Sequence, residues 1–193
     1  MKSFGMTDIG RKRKVNQDYL FFSDEPIGCF PNLYIVADGM GGHKAGDKAS
    51  SYAVNRFVEL AKKEKKELPF LVMERLLNEV NEAVYELSCK EEQYAGMGTT
   101  FVAATVVDKT AHIMNVGDSL TYYFDGKIRQ ATMHHLSRGR TGSSWRELTG
   151  QKAGIIHRKI LLQRQWVWQK IFSRISSLLT WKKEVRFYYV LTD

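Results

Sequence analysis

The sequence predicts an α+β domain on three observations: strand-like segments at the start, two amphipathic helices in the middle, and a second set of strands after them. Ser3 to Thr7 and Tyr19 to Phe22 are short strand-like pieces separated by the basic loop Arg11-Lys12-Arg13-Lys14. Leu33-Tyr34-Ile35-Val36-Ala37 is a continuous apolar run that stops at Asp38-Gly39, as a buried strand does when its end presents a carboxylate. After the glycine-rich turn Gly39-Met40-Gly41-Gly42, a helix is expected from about Gly46 to Glu64, with Ala49, Ala53, Phe57 and Leu60 on one face. A second helix is expected from Pro69, a residue suited to a first turn, with Phe70, Met73, Leu77, Val80, Val84 and Leu87 as its buried stripe. The pair reads as a helical layer lying on a sheet. Phe101 to Val107 and His112 to Val116 are the next strands, and Tyr122-Tyr123-Phe124, Asp125-Gly126, Lys127-Ile128 spells a tight hairpin.

Composition narrows the class. With 193 residues, 44% hydrophobic and 26% charged, the chain suits one globular domain with a sizeable core. There is no run of about 18 apolar residues and no apolar h-region in the opening MKSFGMTDIG, so neither a membrane span nor a signal peptide is expected and the cytoplasm is the default. Cys29 and Cys89 make no disulfide framework or metal cluster. The net charge of +8 is unevenly placed: through Thr132 there are 17 Lys and Arg against 18 Asp and Glu, and from Met133 onward 12 against 3. All four tryptophans, Trp145, Trp166, Trp168 and Trp181, lie in that basic region. The sequence therefore divides into 1–132 and a basic, Trp-rich tail, 133–193.

Three aspartates share one setting. Asp18 follows the basic loop, and Asp38 and Asp118 each follow a strand and adjoin glycine. Carboxylates where strands meet glycine-rich turns can converge on a hard divalent cation, and glycine lets a backbone carbonyl approach the same ion. Each alone also reads as an ordinary turn aspartate.

The surrounding spelling separates these readings. Arg13-Lys14-Val15-Asn16-Gln17-Asp18, Ala37-Asp38-Gly39-Met40-Gly41-Gly42-His43, Gly96-Met97-Gly98-Thr99-Thr100 and Asn115-Val116-Gly117-Asp118-Ser119 resemble, in order and spacing, four blocks of the protein phosphatase 2C family, most closely its bacterial members. The resemblance implies an antiparallel β-sandwich flanked by α-helical layers, incomplete in this chain. It implies Mn²⁺- or Mg²⁺-dependent hydrolysis of phosphoserine and phosphothreonine in proteins. Two ions occupy the intact family site, with a third, weaker site in bacterial relatives. Asp38 would bridge both metals, Gly39 would contribute its carbonyl oxygen, and Asp18 would hold a metal-bound water. Asp118 would join the third site, and Arg13 would clamp the substrate phosphate. Two ions so held acidify a bridging water for in-line attack on phosphorus. His43 follows a glycine insertion, which leaves a general-acid role and a loop role both open. His112, inside an apolar run, is expected to be a strand residue rather than a ligand, and Leu120 stands where the family often has a basic residue.

The resemblance stops near Thr132. The family's remaining metal aspartates belong to a CSDG-like block and a DN pair. The acidic residues of the tail, Glu147, Glu184 and Asp193, stand in neither. One reading of Ile155 to Trp181 is a basic amphipathic helix at a membrane surface. The genetic code offers a sharper one. When each codon takes the third base of one triplet and the first two of the next, Phe187 to Asp193 becomes compatible with LLCSDG. Two leucines are then forced, and the third position is restricted to Cys or Arg. In the same frame Thr180 to Glu184 admits LEEG, and Gly154 to Gln165 admits NHPQKNIITTA, which is similar to another family segment. The expectation is out-of-frame translation, without its own fold, beyond a point between about Met133 and Trp145, and an inactive product. Phosphoproteins are the expected substrates, no nucleic-acid partner is expected, and any binding of anionic surfaces would be non-specific and due to the tail. The alternative is a non-catalytic pseudophosphatase or binding module whose basic amphipathic tail contacts membrane or nucleic acid.

Overall fold

In the computed structural model, residues 2–11, 13–41, 45–65, 68–108, 110–124 and 127–131 are described, together with the backbone of 179–180 and 186–190. In chain order come β1 (Asp18–Ser23), β2 (Leu33–Met40), α1 (Ala45–Ala61), α2 (Pro69–Lys90) and a 3₁₀ turn (Glu92–Tyr94). There follow β3 (Gly98–Thr99), β4 (Phe101–Val107), β5 (Thr110–Val116), β6 (Leu120–Phe124), β7 (Ile128–Gln130), β8 (Leu179–Thr180) and β9 (Arg186–Val190). The larger sheet runs β1-β2-β4-β5-β8 with β3 beside β2, and the smaller runs β7-β6-β9. All pairings are antiparallel.

Strand β2 is apolar throughout its first half because both of its faces are covered. Leu33, Ile35 and Ala37 point to the helices, where Phe30, Phe57 and Phe101 form the centre of the main core. The Phe57 and Phe101 rings lie 5.2 Å apart and tilted, a favourable aromatic geometry. Alternation along the neighbouring strands sends Val102, Ala104, Ala111 and Ile113 to the opposite face, where they form a second buried cluster. Of the expected α1 stripe, Ala49, Ala53, Phe57 and Leu60 are all buried.

Several expectations need correction. Ser3 to Thr7 forms no strand; it is held by isolated hydrogen bonds, such as Ser3 N–H donating to Asp24 Oδ2 at 2.9 Å. Strand β2 does not stop at Ala37, because Gly39 and Met40 pair with Thr99 and Gly98, so Asp38 lies within the strand. Helix α1 ends at Ala61, short of Glu64. The buried side of α2 is Val72, Met73, Leu76, Val80, Val84 and Ser88. Phe70, Leu77 and Leu87 are only partly covered, so the stripe is rotated from the one read in the sequence. The expected hairpin is present as β6 and β7, with Phe124 opposite Ile128, although Asp125 and Gly126 themselves lie outside the described residues. So do His43 and the tail apart from the backbone of β8 and β9. Within the Ile155 to Trp181 stretch read as one possible helix, Leu179–Thr180 is strand, paired with β5, and the remainder lies outside the described residues.

Candidate metal centre

Asp18 opens β1 and stands directly opposite Asp38 of β2. Gly39 N–H donates to the Gln17 carbonyl at 2.9 Å, one residue beyond the pair on each strand. That pattern makes Asp18 and Asp38 a non-hydrogen-bonded pair, the closer type, with Cα atoms roughly 4.5 Å apart and side chains on the same face. It is the face away from the helices, since Tyr19 and Ala37 point into the main core. Both aspartates are half-buried.

The Asp18 carboxylate and the Asp38 main chain are both braced. Thr7 Oγ1 donates to Asp18 Oδ2 at 3.0 Å, and Asn16 Nδ2 donates to Thr7 Oγ1 at 3.1 Å. Asp18 N–H in turn donates to Asn16 Oδ1 at 3.0 Å. The irregular N-terminal segment thus serves as a bracket for Asp18. At Asp38 the main chain is held on both sides: its N–H donates to Thr100 Oγ1 at 3.0 Å, and its carbonyl accepts from Thr100 N–H at 2.8 Å and Thr99 Oγ1 at 3.0 Å. Gly39 must be glycine for a packing reason, because a Cβ there would run into the Gly46 carbonyl oxygen at the start of α1.

Asp118 follows β5 in the turn Gly117-Asp118-Ser119. Gly117 has φ 113°, a conformation that L side chains rarely adopt, and Asn115 Nδ2 closes the turn on the Ser119 carbonyl at 2.8 Å. Arg13 lies exposed on the loop that leads into β1. His112 sits half-buried in β5 with its ring stacked on Phe70 at 5.5 Å. Burial holds its pKa below the ordinary histidine value, and its Nδ1 has no partner among the described residues. That is the setting of a packing histidine. Leu120 is buried at the start of β6. Farther along the sheet the Asp24 carboxyl is held below its ordinary pKa, first by the Ser3 N–H and then by the Tyr34 hydroxyl. Burial, followed by the same bond to Asp24, raises Tyr34.

The structure therefore pairs Asp18 with Asp38 and places Gly39 next to them. Among the described residues, no group of three His, Cys, Asp or Glu side chains stands close enough to hold a metal ion. The oxygen donors present suit Mn²⁺ or Mg²⁺ in kind, but they form only part of a ligand set. Sequence reasoning missed Thr7, Thr99, Thr100 and Ser119 as supporting residues, although the last three lie inside motifs it singled out. No helix among the described residues is long and apolar enough to cross a membrane.

A helix-covered antiparallel sheet with paired carboxylates at one end is a scaffold suited to hard-cation chemistry. Comparison with known proteins makes the class specific: the family model for protein phosphatase 2C matches residues 9–169. The chain belongs to the protein phosphatase 2C family. It is 39% identical over 140 residues to the serine/threonine phosphatase stp of Listeria monocytogenes, covering 67% of this chain and 52% of that protein. The structure of the serine/threonine phosphatase Stp1 from Staphylococcus aureus superposes with a TM-score of 0.59 at 32% identity, over 67% of this chain and 52% of that one. The catalytic domain of the serine/threonine protein phosphatase PstP, solved with two manganese ions, gives a TM-score of 0.55 at 28% identity, over 64% of this chain and 51% of that one. The chain spans about half the length of the curated relatives it matches.

Proposed function

We propose that this chain carries the first half of the active site of a metal-dependent protein serine/threonine phosphatase, and that as written it does not turn over. The observation that carries the reading is the Asp18–Asp38 pair. Two like charges directly opposite on neighbouring strands are unfavourable by themselves, and a bound divalent cation reverses the sign of that interaction. Asp38 and the Gly39 carbonyl would hold the ions, Asp18 would orient a water on one of them, and Asp118 would serve a further ion. When bound, Mn²⁺ or Mg²⁺ would supply an acidified water and offset the charge on the phosphate. Arg13 would orient the phosphate through its planar set of N–H donors. The substrates would be phosphoserine- and phosphothreonine-bearing proteins, and the compartment the cytoplasm. His43 keeps both its loop and general-acid readings.

The reading of the tail as out-of-frame translation belongs to the same proposal. Its support is the recovery of three family-like strings, in order, in one alternative frame, where the translated residues from Met133 offer only three acids. The family match continues to residue 169, so the division at Thr132 rests on composition and charge rather than on the match. The β9 backbone pairs with β6 with Val190 opposite Leu120. In a restored chain that kept this register, the aspartate of the slipped-frame CSDG would come beside Asp118, where a further carboxylate is needed.

The test is sequencing across the codons for residues 130–150, followed by expression of both readings. The restored chain is expected to hydrolyse an aryl phosphate with Mn²⁺, and the chain as written is expected not to. Turnover by the chain as written, or a slipped frame that does not encode these strings, defeats the proposal. A protease-resistant tail with salt-sensitive binding to anionic vesicles would favour the binding-module alternative.

A further inference from the structure

The last residue of the Gly-Met-Gly-Thr-Thr segment touches both the Asp38 main chain in β2 and the turn that carries Asp118. Thr100 Oγ1 accepts the Asp38 N–H at 3.0 Å and lies 2.7 Å from Ser119 Oγ, the residue after Asp118. Its own N–H returns a bond to the Asp38 carbonyl at 2.8 Å. Thr100 and Ser119 are buried, at 5% and 2% exposure, so water does not replace these bonds easily. Packing repeats the connection: a Cβ on Gly117 would come within 2.7 Å of Thr100 Cγ2, so the Gly117-Asp118-Ser119 turn rests directly on the threonine methyl.

We infer that Thr100 is a positioning residue that locks the Asp38 main chain to the Asp118 turn, so that the two carboxylates are presented as one rigid unit. Both halves of the side chain are needed. The hydroxyl bridges Asp38 N–H and Ser119 Oγ, and the methyl fills the space that Gly117 leaves open. That the unit presents its carboxylates to a cation rests on the proposed function above. The coupling itself does not.

The experiment uses the isotopically labelled chain as it exists and reads amide hydrogen exchange, with Ile35 and Ala103 in mid-sheet as internal controls. Thr100→Val keeps the shape and removes the hydroxyl. It is expected to speed exchange at Asp38 and through residues 117–119 by about tenfold or more, with the controls unchanged. Thr100→Ser restores the hydroxyl and is expected to bring Asp38 back to the wild-type rate. Unchanged rates at Asp38 and the turn in Thr100→Val overturn the inference. Should Thr100→Val not fold, Ser119→Ala decides it: the turn is expected to loosen while Asp38 stays protected, and an unaffected turn refutes the link. A second arm follows paramagnetic broadening of the Asp38 and Asp118 amides during Mn²⁺ titration. In wild type the two should broaden together, and in Thr100→Val they should separate. If Mn²⁺ broadens neither in wild type, the metal reading fails, and with it the cation role of Thr100, while the exchange data still decide the coupling.

Discussion

Asn32 precedes β2, and its replacement gives a sharp test of how the larger sheet is held. The β2–β4 register places Tyr34 opposite Ala104 and Val36 opposite Val102, so continuing it sets residue 32 opposite Val106. Asn32 fills that place with its side chain. Its Nδ2 donates to the Val106 carbonyl at 2.8 Å, and its Oδ1 accepts the Val106 N–H at 2.7 Å. The Asn32 carbonyl also accepts from Thr105 Oγ1 at 2.7 Å. Asn32→Ala removes both side-chain bonds and leaves a poorly hydrated peptide group on β4. Two hydrogen bonds at about 1 kcal/mol each set a lower figure of about 2 kcal/mol, and stranding the donor and acceptor raises it to about 4 kcal/mol. Urea unfolding followed by far-UV circular dichroism should show the midpoint falling by about 1 M or more, with the slope unchanged. Asn32→Asp keeps an acceptor for the Val106 N–H but turns a carboxylate oxygen toward the Val106 carbonyl, so it should not rescue. A loss below about 0.5 kcal/mol for Asn32→Ala would refute the reasoning, because it would mean that water or a strand shift satisfies Val106 at no cost.

Three further outcomes are expected. Gly39→Ala drives a methyl into the Gly46 carbonyl oxygen and should lower stability by more than about 2 kcal/mol, measured by the same unfolding curve. Because burial lowers the His112 pKa, the unfolded chain binds the proton more readily. Stability from this group is therefore complete above the ordinary histidine pKa and is lost as pH falls below it, toward the depressed folded value. His112→Phe, which keeps a ring against Phe70, should flatten that part of a plot of urea midpoint against pH; an unchanged slope would contradict it. Asp38→Asn in the restored chain should abolish Mn²⁺-dependent aryl phosphate hydrolysis and weaken Mn²⁺ binding in calorimetry, whereas unaltered binding would remove Asp38 from the metal centre.

Most elements were legible because their causes are local. Pro69 starts α2, a near-continuous apolar run rich in β-branched residues marks β4, and an Asp-Gly pair joins β6 to β7. The aspartates proposed as metal ligands were singled out through motif spelling, since an isolated Asp beside glycine is as well explained by a turn.

What the sequence by itself determined is the order of the two helices and of β1, β2, β4, β5, β6 and β7, the family, and which carboxylates are worth testing, because periodicity and motif spacing are properties of neighbouring residues. Which face of α2 is buried required knowing where the sheet lies, and so the stripe centred on Leu76 rather than Leu77 emerged only in three dimensions. The same holds for β2, which extends through Asp38 because β3 arrives beside it from a distant part of the chain. It holds again for Thr100 bound to Asp38, and for the Asn32 amide standing in for a strand against Val106. Those bonds join residues 62 and 74 positions apart, and no local pattern encodes a hydrogen bond whose two groups meet only after the sheet has formed.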